Sequence, residues 1–308
     1  VRPLFGPAAA RFAEVDGPGD QFTDYWGITW QRSEGAVYYH MAFQPLRKAR
    51  TPRDIEAYPW PRAEELLDLR GLADRARQLR RESPHAIPGY RAGPSSLFEQ
   101  SWYLRGLQEL LTDLATDPAM AHALLRRMTD LAKDCAALFL REVGPYIDIF
   151  QAGDDLGIQN GLLISPQMFR SLVKPYLAEY YGLIHNLTGA RLMMHSCGAV
   201  LPIVDDLIEI GVDILNPVQV SARGMDPALL KEKFGDRLCF CGGIDTQHVL
   251  PHGSPQDVEE EVQRRIRQMA PGGGYLLAAV HAIQPDVPPQ NVCAMFEAAV
   301  RLGRYPVM

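Results

Sequence analysis

The second half of the chain alternates short apolar runs with amphipathic ones. The run 190–195 is followed by a helical pattern over 199–210, and 212–215 (VDIL) by one over 226–235. In the same way 237–241 (RLCFC) precedes 255–270, and 275–280 (YLLAAV) precedes 288–303. Strands alternating with helices at this spacing predict βαβ units, a parallel sheet and right-handed crossovers. Upstream, 85–90 (HAIPGY) reads as a first strand of the same kind and 146–150 (YIDIF) as the next, with a long amphipathic helix over 118–143 between them. The pattern predicts an α/β fold, a (β/α)8 TIM-type barrel over 63–308. No Gly-rich dinucleotide fingerprint follows a first strand, which counts against a doubly wound alternative.

Residues 1–62 do not read as βα units. Two β-rich runs in 24–43 are separated by Ser33-Glu34-Gly35, a hairpin signal, and Pro45, Pro52, Pro59 and Pro61 follow. This predicts a small β-containing N-terminal extension that caps the barrel, with Trp26 and Trp30 read as core aromatics rather than a pocket rim. A helix is predicted over 63–83, with Arg75, Arg77, Arg80 and Arg81 on its solvated face. Ser95 or Ser96 is the candidate N-cap of the next helix, and Ser165-Pro166 opens a later one that Pro175 should kink or break.

Composition narrows the class. A chain of 308 residues, 47% hydrophobic, supports one large core. A formal net charge of −6 speaks against nucleic acid or an anionic membrane as a main partner. There is no apolar run long enough to span a bilayer, and residues 1–12 lack the apolar stretch of a secretory signal, so a cytoplasmic location is expected. The five cysteines, Cys135, Cys197, Cys239, Cys241 and Cys293, are odd in number and suggest reduced thiols rather than a disulfide framework. Cys135 and Cys239 read as packing.

Barrel enzymes place their chemistry at the C-terminal ends of the strands. The apolar runs here end in Asp154/Asp155, His195/Cys197, Asn216/Gln219, Cys241/Asp245 and His281/Gln284. His195 and Cys197, two residues apart at a strand end, can reach one metal ion, and a thiolate with an imidazole favours zinc. His281 and Cys241 are the candidates for a third ligand. Adjacent side chains diverge, so one of Asp154 and Asp155 at most should face the site. Without a metal, Asp154 or Asp155 would steady a substrate and His281 would serve as general acid. Glu99 and Trp102, just past the first strand, join Asn216, Gln219, Asp245 and Gln284 as candidate substrate contacts.

Four motifs carry a resemblance: HSCG at 195–198, IGVDILNPVQ at 210–219, LKEKFGDRLCFCGGIDTQ at 230–247 and HAIQPDVPPQN at 281–291. Together they resemble the uroporphyrinogen decarboxylase superfamily, from about Thr23 to the C-terminus. The resemblance implies a (β/α)8 barrel and one of two activities. True decarboxylases carry an Arg-rich, RQAGR-like N-terminal motif that holds substrate carboxylates, and nothing like it occurs here. Zinc-dependent methyltransferases of the superfamily carry an HxC pair, matched by His195 and Cys197, and a third ligand on the last barrel loop, where His281 stands. The methyltransferase branch is therefore expected: zinc as cofactor, a small methylated substrate such as an aryl methyl ether, and a corrinoid carried by a partner protein, since no DxHxxG cobalamin motif occurs in this chain. The alternative is a cofactor-free carboxy-lyase acting on a tetrapyrrole or related acid. The aromatic N-terminal fifty residues suit a homodimer contact and a substrate rim equally.

Overall fold

The computed structural model describes residues 1–2, 4–5, 20–36, 38–90 and 92–305. Most of the N-terminal stretch read for a signal sequence, and Val37 of the hairpin, lie outside the described residues. Two compact units partition the chain: 1–154 with 167–192, and 155–166 with 193–308.

The first unit opens on a three-stranded antiparallel sheet, β1 (Gln21–Thr23), β2 (Thr29–Gln31) and β3 (His40–Phe43), in that order. The hairpin between β2 and β3 turns through Ser33-Glu34-Gly35 as the sequence signals. Asp24 organises its base, accepting the N–H groups of Trp26, Ile28 and the Trp30 indole at 2.8–3.0 Å. Trp26 is buried, so the core reading of that aromatic holds.

The helix expected over 63–83 is broken. A first turn, Ala63–Leu66, gives way to extended Leu67–Asp68, and α1 (Leu72–Glu82) starts after Gly71, whose φ of +69 is a left-handed conformation that favours glycine. Strand β4 (Pro88–Tyr90) pairs in parallel with β5 (Ile149–Gly153). Between them run α2 (Phe98–Arg105), α3 (Leu107–Thr116) and α4 (Pro118–Val143). The long α4 buries Met120, Leu124, Met128, Cys135 and Phe139 along one face, and Phe139 meets Phe150 of β5 edge-to-face at 6.2 Å. Pro175 acts as expected: a five-residue π-helical segment, Phe169–Val173, precedes α5 (Lys174–Leu187), with the proline in its first turn.

Strand β6 (Arg191–His195) begins in the first unit, where the Arg191 N–H donates to the Asp148 carbonyl at 2.8 Å, and ends in the second. There it pairs in parallel with β7 (Ile214–Val218), β7 with β8 (Cys239–Ile244), and β8 with β9 (Tyr275–Ala279). The connections carry α6 (Val204–Glu209), α7 (Pro227–Phe234) and α8 (Pro255–Met269), and α9 (Pro289–Leu302) closes the chain. Ile244, Leu250, Val258, Val262, Ile266, Val287 and Met295 form one apolar core beneath α8 and α9. All six strands expected to be parallel are present, which gives the α/β fold that the alternation predicts. No helix among the described residues is long and apolar enough to cross a membrane.

Candidate metal centre

Two segments of the second unit meet where β6 ends. Residues 155–158 run beside 196–199, joined by three hydrogen bonds. The Cys197 N–H donates to Asp155 Oδ1 at 2.8 Å, the Leu156 N–H to Ser196 Oγ at 3.1 Å, and the Ala199 N–H to the Ile158 carbonyl at 2.9 Å. Glycines permit the approach. A Cβ on Gly198 would stand 2.5 Å from the Gly157 carbonyl carbon, and one on Gly157 would stand 2.7 Å from the Cys197 carbonyl oxygen.

This contact brings Asp155, His195 and Cys197 together. One ligand atom from each lies within 4.8 Å of the others. Cys197 Sγ is 3.5 Å from His195 Nε2, which is 3.7 Å from Asp155 Oδ1. All three side chains are partly open to solvent. Ligands about 2.0–2.3 Å from a tetrahedral ion stand about 3.3–3.8 Å from each other, and the two separations from His195 Nε2 fall in that range. The donor set of thiolate, imidazole and carboxylate fits zinc.

The surrounding bonds stiffen the cluster. His195 Nδ1 lies 2.7 Å from Asn216 Oδ1, and the Ser196 N–H donates to the Asn216 carbonyl at 2.7 Å. Gln219 accepts the Gly198 N–H at 2.8 Å and donates to Gln159 Oε1 at 3.0 Å. Gln159 in turn donates to the Ser221 carbonyl.

Other residues singled out by sequence are employed elsewhere. Asp154 is fully buried and accepts the N–H groups of Leu97, Phe98 and Glu99 at 2.6–2.9 Å. It, and neither Ser95 nor Ser96, caps the start of α2. Burial pushes its carboxyl up to about 8, against the pull of those three donors. Asp155, not Asp154, is therefore the carboxylate of the cluster.

Cys241 is buried, and burial pushes its thiol up. His281 is exposed, with Nδ1 3.4 Å from the Ala282 carbonyl. Neither joins the group of donor atoms, whose third member is Asp155, because β6 and the 155–158 segment are the elements that converge there. Gln284, also exposed, donates to the same Ala282 carbonyl at 2.8 Å. Asp245 accepts the N–H groups of Gln247 and His248 and pairs with His248 Nδ1 at 2.9 Å, which makes it a turn cap. Glu99 and Trp102 sit on α2 in the first unit. Glu99 accepts the Tyr103 hydroxyl at 2.5 Å, and Trp102 Nε1 is buried without a protein hydrogen-bond partner.

Sequence reasoning missed Ser196, Gly157, Gly198 and Gln159. A glycine beside the HxC pair was in plain view, but nothing in one sequence says which backbone it must touch.

Fold and site together define a parallel α/β protein with a mixed N, S, O donor cluster at a strand end. The chain belongs to the uroporphyrinogen decarboxylase (URO-D) family, whose model matches residues 44–302. It is 24% identical to the uroporphyrinogen decarboxylase of Alkalilimnicola ehrlichii, over 91% of this chain and 73% of that one. It is also 24% identical to that of Geotalea uraniireducens, over 96% and 80%. Among solved structures it resembles a methyltransferase from Methanosarcina mazei, with a TM-score of 0.68 at 17% identity, over 99% of this chain and 80% of that one.

Proposed function

We propose that the chain is a zinc-dependent methyltransferase that passes a methyl group between a small methylated substrate and a corrinoid carried by a partner protein. The observation that carries this reading is the cluster of Asp155, His195 and Cys197 at the end of β6. A purely structural strand end has no need of three converging ligand atoms partly open to solvent. His195 Nε2, Cys197 Sγ and an Asp155 oxygen would hold the ion. When bound, zinc supplies Lewis acidity that stabilises an anionic oxygen or sulfur at the transferring bond.

The chain's own residues do the rest. The paired 155–158 and 196–199 segments fix the separation of carboxylate and thiol, so the site is assembled before any ligand arrives. Gln219 and Gln159 hold the loop after Cys197 in place. The fold similarity to a solved methyltransferase supports this branch.

The second reading is a cofactor-free carboxy-lyase, favoured by the names of the decarboxylase relatives. The two separate in one experiment. Methyl transfer from an aryl methyl ether to a cobalamin, lost on chelation and regained with zinc, supports the first. Decarboxylation of a porphyrinogen that persists in chelator supports the second and overturns the first.

A further inference from the structure

In the parallel register His195 of β6 pairs with Asn216 of β7. In-register residues of neighbouring strands point to the same face of a sheet. The two form a polar row: Asn216 Oδ1 is 2.7 Å from His195 Nδ1.

The chemistry of that row is directional. An amide oxygen accepts and cannot donate, so the proton between Asn216 and His195 belongs to Nδ1. A neutral imidazole carries one N–H, which leaves the lone pair on Nε2. Nε2 is the nitrogen that lies 3.5 Å from Cys197 Sγ and 3.7 Å from Asp155 Oδ1.

We propose that Asn216 is the positioning residue of the cluster: its side-chain oxygen holds His195 in the Nδ1–H tautomer and so presents the Nε2 lone pair to Cys197 and Asp155. Asn216 is itself held in place through its side-chain oxygen and its backbone carbonyl. The purpose of the lone pair rests on the metal-binding reading above; the tautomer does not.

The test uses metal-free full-length chain with ¹⁵N-labelled histidine. Long-range proton–nitrogen correlation at about pH 8, above the ordinary imidazole titration, reads the tautomer of each ring, and His195→Gln assigns the signal. The wild type should show the Nδ1–H pattern, which needs no variant. Asn216→Leu should lose that pattern, and Asn216→Asp, which keeps an acceptor oxygen, should retain it. In zinc competition against a chromophoric chelator, Asn216→Leu should bind about 10–100-fold more weakly, with affinity largely restored in Asn216→Asp. An Nε2–H pattern in the wild type overturns the proposal, as does an Nδ1–H pattern that survives in folded Asn216→Leu. An Nδ1–H wild type that takes up no zinc supports the positioning role and sinks the metal reading instead.

Discussion

Replacing Gly198 by alanine should disable the centre without touching a ligand. Gly198 has φ +88, and forcing a side chain into that region costs about 1–2 kcal/mol. The new Cβ would also lie 2.5 Å from the Gly157 carbonyl carbon, 2.6 Å from the Ile158 nitrogen and 2.8 Å from the Gly157 oxygen. Ordinary contact begins near 3.4 Å, so one backbone must retreat by about 1 Å, an overpacking cost of about 1–3 kcal/mol. Alanine reduces the freedom of the unfolded chain and returns about 0.4–1 kcal/mol. The net prediction is a loss of about 1–5 kcal/mol. The geometry suffers more than the fold, because the bonds from Cys197 N–H to Asp155 and from Ala199 N–H to Ile158 cross the gap that must widen.

Gly157→Ala provides the control. Its Cβ meets the Cys197 carbonyl at 2.7 Å, but its φ lies outside the left-handed region, so only the steric part applies. Urea unfolding should therefore rank wild type above Gly157→Ala above Gly198→Ala. Chelator competition should show weaker zinc binding in both variants. A Gly198→Ala protein with unchanged midpoint and unchanged zinc affinity would refute the claim that this backbone contact assembles the site.

The two neighbouring aspartates should behave oppositely. Asp154→Ala leaves three buried N–H groups unpaired and should cost about 3–5 kcal/mol in denaturant unfolding. Asp155→Ala should stay within about 1 kcal/mol of wild type yet bind zinc more weakly in chelator competition. His281→Ala should retain the zinc stoichiometry of the wild type by elemental analysis, because its ring lies outside the donor group; loss of the metal there would restore His281 as a ligand. Asp148 is held below the usual carboxylate range, first by the Arg80 hydrogen bond and then by the Ile87 N–H. Its contribution is present above the unfolded carboxylate value and is lost as pH falls through the depressed folded one. Arg80→Ala should therefore flatten the acid limb of a Tm-against-pH curve, by under about 1 kcal/mol given the exposure of both side chains.

The alternation of apolar and amphipathic runs made the parallel strands and most of their helices legible, because burial on both faces leaves a continuous apolar strand with a polar end. His195 and Cys197 were legible for the same reason: they stand where such a run stops. The break after Leu66 was hidden inside a good helical period. The choice between Asp154 and Asp155 was not in the sequence, since it depends on which carboxylate meets the first N–H groups of α2. The third ligand was sought at the ends of later strands, and Asp155 was reached only through the backbone pairing of 155–158 with 196–199. Asn216 was read as a substrate contact; its approach to His195 follows from strand register, which a sequence does not state.

The measurement that tests the central claim most directly is the zinc content of the full chain, purified under reducing conditions, beside His195→Ala and Asp155→Ala. The account predicts about one zinc per chain in the wild type, none in His195→Ala and a weakened, chelator-labile fraction in Asp155→Ala. A wild type that takes up no zinc, or a His195→Ala protein that keeps a full complement, would contradict it.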